Sequence, residues 1–164
     1  ITEVSIEYLN NQIDSGIDCF QLFETYCGII PSETYAKLFL PFSKRILNAA
    51  KEKNIKTIFF PKNFADGLRY INKDICDFAS IDWAMSLDFA REIIDDQVGL
   101  QGNMDPRIFY SDYSEIEQYL NGLIDFGSKN QNWIFNLGHG FIPDIDHKKV
   151  KFVVDWIKQA NWKR

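Results

Sequence analysis

The chain has 164 residues, 46% of them hydrophobic, which is enough to bury a core of single-domain size. Its 18 Lys and Arg stand against 23 Asp and Glu, a net charge of -5, with no stretch of basic residues along one face, which argues against nucleic acid and anionic membrane as partners. No apolar run is long enough to span a bilayer, and Ile1-Thr2-Glu3-Val4-Ser5 has neither the basic start nor the apolar core of a signal peptide, so the reading is a soluble, cytoplasmic protein with one domain over 1–164.

Val4, Ile6, Tyr8, Leu9 and Ile13 recur at helical spacing up to Gly16, and Cys19 to Phe23 then reads as a buried strand. Ser32 is placed to cap a helix with the apolar stripe Tyr35, Leu38, Phe39, Phe42, Ile46 and Ala49, ending near Asn54, and Thr57 to Phe60 is the second strand. A short helix over Phe64 to Ile71 precedes a strand over Ile75 to Ile81. A helix from Ser86 to Ile94 precedes a strand over Val98 to Gln101. A helix from Ser111 to Phe126, stopped by Gly127, precedes the strand Trp133 to Asn136, and a helix from Lys148 to Gln159 closes the series. Such alternation predicts parallel strands covered by helices, either an open doubly wound sheet or a piece of a closed barrel.

Each strand ends in polar or glycine-rich residues: Glu24-Thr25, Lys62-Asn63, Asp82-Trp83, Gln101 to Asp105, and Asn136 to Gly140. Ligands bind at this edge of a parallel sheet in both architectures, so the five tips are expected to converge on one site. His139, between Gly138 and Gly140, is either a chemical group to which backbone and ligand approach closely or a loop histidine bonded to its own backbone. Thr25 could donate to a carboxylate, and the competing reading is a turn residue. Asp82 and Asp105 fit helix capping better than cation binding. Gln101 and Asn103 could hold a polar ligand or lace adjacent strands. Lys62 could meet an anion or stand in solvent, and His147, between Asp146 and Lys148, reads as a surface residue.

Cys19, Cys27 and Cys76 are odd in number, form no C-x-x-C pair and read as reduced core hydrophobes, with Cys27 a weak candidate for a catalytic thiol. No dinucleotide fingerprint, P-loop, H-E-x-x-H or G-x-S-x-G is present, so neither cofactor nor metal is expected.

Leu100-Gln101-Gly102-Asn103-Met104-Asp105-Pro106, Asn136-Leu137-Gly138-His139-Gly140, Ser80-Ile81-Asp82-Trp83 and Gln21-Leu22-Phe23-Glu24-Thr25 together resemble four signatures of the uroporphyrinogen decarboxylase family, in its order and spacing. The resemblance implies a (β/α)8 TIM barrel, of which this chain is a partial barrel of about five βα units, strands four to eight; the first three strands lie outside it. It also implies decarboxylation of the four acetate side chains of uroporphyrinogen to give coproporphyrinogen, without metal or prosthetic group. His139 matches a position that meets a substrate carboxylate or assists proton delivery, and Thr25 one that binds a carboxylate. The complete enzyme is implied to be a homodimer.

In the family an arginine-rich segment, an aspartate that holds the pyrrole N–H groups and a tyrosine lie in the N-terminal part, so these 164 residues alone are expected to be inactive. Two other readings remain: a non-catalytic half-barrel that serves as an assembly module or is a remnant, and a zinc-dependent corrinoid or thiol methyltransferase on the same barrel. The second lacks a cysteine near His139.

Overall fold

The computed structural model describes residues 1–162. Helix α1 (Thr2–Asp14) leads into strand β1 (Cys19–Glu24), then α2 (Ser32–Leu38) and α3 (Leu40–Lys51) into β2 (Lys56–Pro61). A 3-10 segment (Ala65–Tyr70) connects β2 to β3 (Phe78–Ser80), and α4 (Leu87–Ile93) connects β3 to β4 (Gly99–Gln101). A 3-10 turn (Pro106–Tyr110), α5 (Tyr113–Gly122) and α6 (Ile124–Lys129) then lead to β5 (Trp133–Ile134), which α7 (His147–Gln159) follows. Among the described residues no helix is long and apolar enough to cross a membrane.

All neighbouring strands pair parallel, and their order in the sheet is the chain order, β1-β2-β3-β4-β5. A doubly wound sheet reverses direction at a switch point, whereas here every crossover steps the same way, so right-handed connections lay the crossover helices on one face. The other face curls. Gln101 of β4 donates from Nε2 to Gln21 Oε1 of β1 at 3.3 Å, although two strands separate them. In a flat sheet these strands would stand roughly 14 Å apart with parallel side chains, so the bond requires a concave, barrel-like sheet. The chain is a partial (β/α)8 barrel.

The main core lies between sheet and helices, around Tyr35, Leu47, Phe59, Phe64, Ile71 and Leu100. A second cluster joins α5 and α7 through Ile116, Leu120 and Val153, with Met104 and Phe109 beneath, and a third packs α1 on α3 through Leu9, Ile46 and Ala50. Strand β4 is wholly buried and β2 nearly so, as expected of strands that are paired along both edges and covered by helices.

Several sequence expectations are corrected. Strand β1 is half-exposed rather than buried because it pairs on one side only, and Cys19, at its start, is exposed while Cys27 and Cys76 are buried. The long helix after Ser32 is two helices, with Pro31 rather than Ser32 in the N-cap position. Pro41 lacks the N–H that would continue the first helix, and α3 begins anew with a rotated face. Leu40, Ser43, Ile46, Leu47 and Ala50 are then buried, while Leu38, Phe39 and Phe42 of the expected stripe are exposed. Gly127 does not stop a helix: α6 runs through it, and a Cβ there would lie 2.7 Å from the Trp162 ring, so the glycine makes room for that indole. The pairing of β4 with β5 resumes beyond Gln101, where Met104 N–H donates to Asn136 O at 3.1 Å and Gly138 N–H to Met104 O at 2.9 Å.

Polar ties hold both ends of the sheet. At the N-terminal ends, buried Asp77 accepts from the Thr57 N–H and hydroxyl, each at 3.0 Å, and its own N–H donates to Thr57 Oγ1 at 3.1 Å. Lys73 Nζ lies 2.7 Å from the same carboxylate. At the C-terminal ends, Gly138 passes so close to β3's tip that a Cβ would stand 2.2 Å from Trp83 N.

Burial acts to raise the Asp77 carboxyl, but the hydrogen bonds from Lys73 and Thr57 outweigh it and bring the pKa down to about 2. A folded value below that of the unfolded chain stabilises by on the order of 2 kcal/mol above about pH 5, and this is lost as pH falls through the folded value. The gap in urea midpoint between the native sequence and Asp77→Asn should therefore narrow from about pH 5 to about pH 2; a constant gap would show that the charge contributes nothing. Gly138→Ala should cost about 2 kcal/mol by overpacking, whereas Gly140→Ala, where a Cβ meets nothing within 4 Å, should leave the midpoint unchanged.

Candidate functional site at the strand tips

Between the concave face of the sheet and α7 lies a cavity of about 440 Å³, with Gln21 and Ser80 on its floor, Phe23, Phe60, Phe135 and Val150 on its walls, and His139 at its edge. Period-two alternation puts Gln21 and Phe23 on this face and turns Glu24 towards the helices, where its carboxylate accepts from Tyr35 OH at 3.4 Å and Tyr26 N–H at 3.3 Å. Gln101, buried among the strands, donates to Ser80 Oγ at 3.0 Å as well as to Gln21 Oε1. The cavity is thus a mainly apolar bowl with a hydrogen-bonded polar floor.

His139 is exposed, with its ring fixed at two points. Its Nε2 lies 3.2 Å from Lys62 Nζ, and its Nδ1 lies 3.4 Å from the Gly140 carbonyl. The backbone contact expected of a loop histidine is present, and so is a partner from another strand. The tip of β2 is in turn fixed to β1: Lys62 N–H donates to Glu24 O at 3.0 Å, and the buried Cys27 thiol donates to Lys62 O at 3.1 Å and Glu24 O at 3.4 Å. Burial first, and then the Glu24 charge, push that thiol up to about 12, far from the thiolate a nucleophile needs.

The other polar tips tie loops together. Asp82 accepts from Asn63 N–H at 2.7 Å and Ala84 N–H at 2.9 Å, joining the tips of β2 and β3; the cap of α4 is Ser86. Asn103 donates to the Asp82 carbonyl at 2.9 Å and to the Met85 carbonyl, lacing β4's tip to β3's. Asp105 caps the following 3-10 turn and forms a 2.6 Å ion pair with Arg107, which holds its carboxyl below the usual range. The Arg107 guanidinium lies 4.1 Å from the Trp83 ring centroid, so this ion pair rests on an aromatic face.

Of the sequence-derived site residues, the structure brings His139 and Lys62 together and puts His139 on the cavity. Thr25 stands exposed just beyond β1, off the cavity wall. His147 begins α7 with its side chain 90% exposed. Sequence reasoning missed the floor residues Gln21 and Ser80 and the phenylalanine walls, whereas Gln101 laces adjacent strands, one of the two roles its position suggested. The available signal was a polar residue in each of three otherwise apolar strands, with Gln21 two positions from Phe23 and so on the same face. Among the described residues no three His, Cys, Asp or Glu groups gather as a metal site.

A model of the family described as uroporphyrinogen decarboxylase matches residues 1–160. The chain is 32% identical over 161 residues to the uroporphyrinogen decarboxylase of Trichlorobacter lovleyi, covering 98% of this chain and 47% of that protein. It is 35% identical over 162 residues to the enzyme of the same name from Francisella tularensis subsp. novicida, covering 97% of this chain and 47% of the relative. The chain thus spans about half the length of the curated relatives it matches. A solved methyltransferase from Methanosarcina mazei superposes with a TM-score of 0.74 over 94% of this chain and 45% of its own, at 15% identity, a likeness of fold. With the family model spanning nearly every residue and three of the four strand-tip signatures lining one cavity, the chain belongs to the uroporphyrinogen decarboxylase family.

Proposed function

We propose that this chain is the C-terminal, single-domain part of a uroporphyrinogen decarboxylase, a cytoplasmic enzyme that converts uroporphyrinogen to coproporphyrinogen without metal or organic cofactor and acts as a homodimer. The observation that carries the reading is the cavity at the C-terminal strand ends, with His139 at its edge, in a chain of this family. An apolar bowl with a few placed polar groups suits a large, flat macrocycle edged by carboxylates.

Loss of carbon dioxide from a pyrrole acetate needs a proton on the ring, so that the electrons of the breaking C–C bond have somewhere to go, then a proton at the new methyl carbon, after which the ring gives up the proton it took and is a pyrrole again. Apolar walls exclude water and strengthen the fixed dipoles that face the developing charge. In this reading His139 meets one carboxylate or helps to deliver a proton, and Thr25, on the rim, binds another. The methyltransferase reading would need a cluster of metal ligands, and none occurs among the described residues.

A substrate with eight carboxylates needs cationic partners that a chain of net charge -5 is poorly placed to supply alone. The 164-residue chain is expected to form no coproporphyrinogen, whereas a polypeptide extended to its relatives' length forms it; product from the short chain would contradict this. In the extended protein His139→Ala should lower kcat/KM by about 100-fold or more and Thr25→Val by about tenfold, with His147→Ala close to unchanged. Equal effects of the two histidine variants would remove His139 from the mechanism.

A further inference from the structure

Lys62 is part-buried at the tip of β2, where its backbone is clamped on both sides: its N–H donates to Glu24 O at 3.0 Å and its carbonyl accepts the Cys27 thiol at 3.1 Å. Its ammonium makes no salt bridge among the described residues, and the polar partner it has there is His139 Nε2 at 3.2 Å. An ammonium donates and cannot accept, so Nε2 must be bare and the ring proton must sit on Nδ1, which faces the Gly140 carbonyl at 3.4 Å. The histidine is then a neutral acceptor. Of the ammonium's three N–H bonds, one is spent on the ring and the others remain available beside the cavity that His139 borders.

We propose that Lys62 is a substrate-binding residue that supplies the positive charge for a carboxylate at this edge of the cavity, and that His139, held as its Nδ1–H tautomer, positions that ammonium. The proposal rests on the decarboxylase reading and narrows it: His139, with no proton on Nε2, meets its carboxylate through Lys62 rather than directly or as a proton donor, and the cation of the site comes from the tip of a different strand. A hydrated, flexible lysine pays entropy to meet a carboxylate; a ring pinned by Gly140 and a clamped backbone reduce that cost.

The test uses the full-length polypeptide and two readouts that do not need turnover. Long-range ¹H–¹⁵N NMR of the His139 ring should report the Nδ1–H tautomer in the native sequence and a shift towards Nε2–H in Lys62→Met. Binding of uroporphyrin, the oxidised and unreactive form of the substrate, should weaken about tenfold in Lys62→Met and recover in Lys62→Arg, which restores a cation. An Nε2–H ring in the native protein, or uroporphyrin affinity unmoved in Lys62→Met, would overturn the assignment. If the full-length protein makes no coproporphyrinogen, the reading of activity falls, while the tautomer and uroporphyrin affinity still decide the role of Lys62.

Discussion

Parallel strands laid down in chain order impose the geometry of this molecule. Each crossover returns to start the next strand one place further along, so the crossover helices are set on the same face and the opposite face is left to curve upon itself. The Gln21 to Gln101 hydrogen bond spans that curve from the first strand to the fourth. With the sheet curled, the strand ends lie on an arc rather than a line, and side chains from β1, β2, β3 and the segment just after β5 face one bowl.

The two ends of the arc are treated differently. At the N-terminal ends the Thr57–Asp77 exchange is buried and satisfied, which suits stability. At the C-terminal ends, Asp82, Asn103 and Cys27 spend their hydrogen bonds on neighbouring loops and leave His139 at the cavity edge with Lys62 against its ring. In parallel barrels generally, stability is concentrated at the N-terminal ends of the strands and ligands bind at the C-terminal ends.

Much of this was legible in the sequence because parallel α/β units alternate in a strong periodic pattern. The strands at Cys19, Thr57 and Val98 and the final helix at Lys148 fall close to their structural limits. The failures have local causes. Pro41 rotated a helix face that apolar spacing alone could not see, and Gly127 read as a stop because its real purpose, space for Trp162, lies far away in the chain. Cys19 read as core because its neighbours are apolar, yet it starts a strand paired on one side only. Spacing marked His139 without its partner, because Lys62 is 77 residues distant and only the curled sheet brings the two together.

The contact of Gly138 with the backbone at Trp83 has a consequence for how such a site can diversify. The histidine loop is seated on the β3 loop through main-chain atoms, which no side-chain replacement can move aside, so neither loop can be lengthened or re-aimed without rebuilding the other. Variation in what the bowl accepts is therefore channelled to the rim after β1, where Thr25 and Tyr26 face solvent and can change without disturbing the histidine.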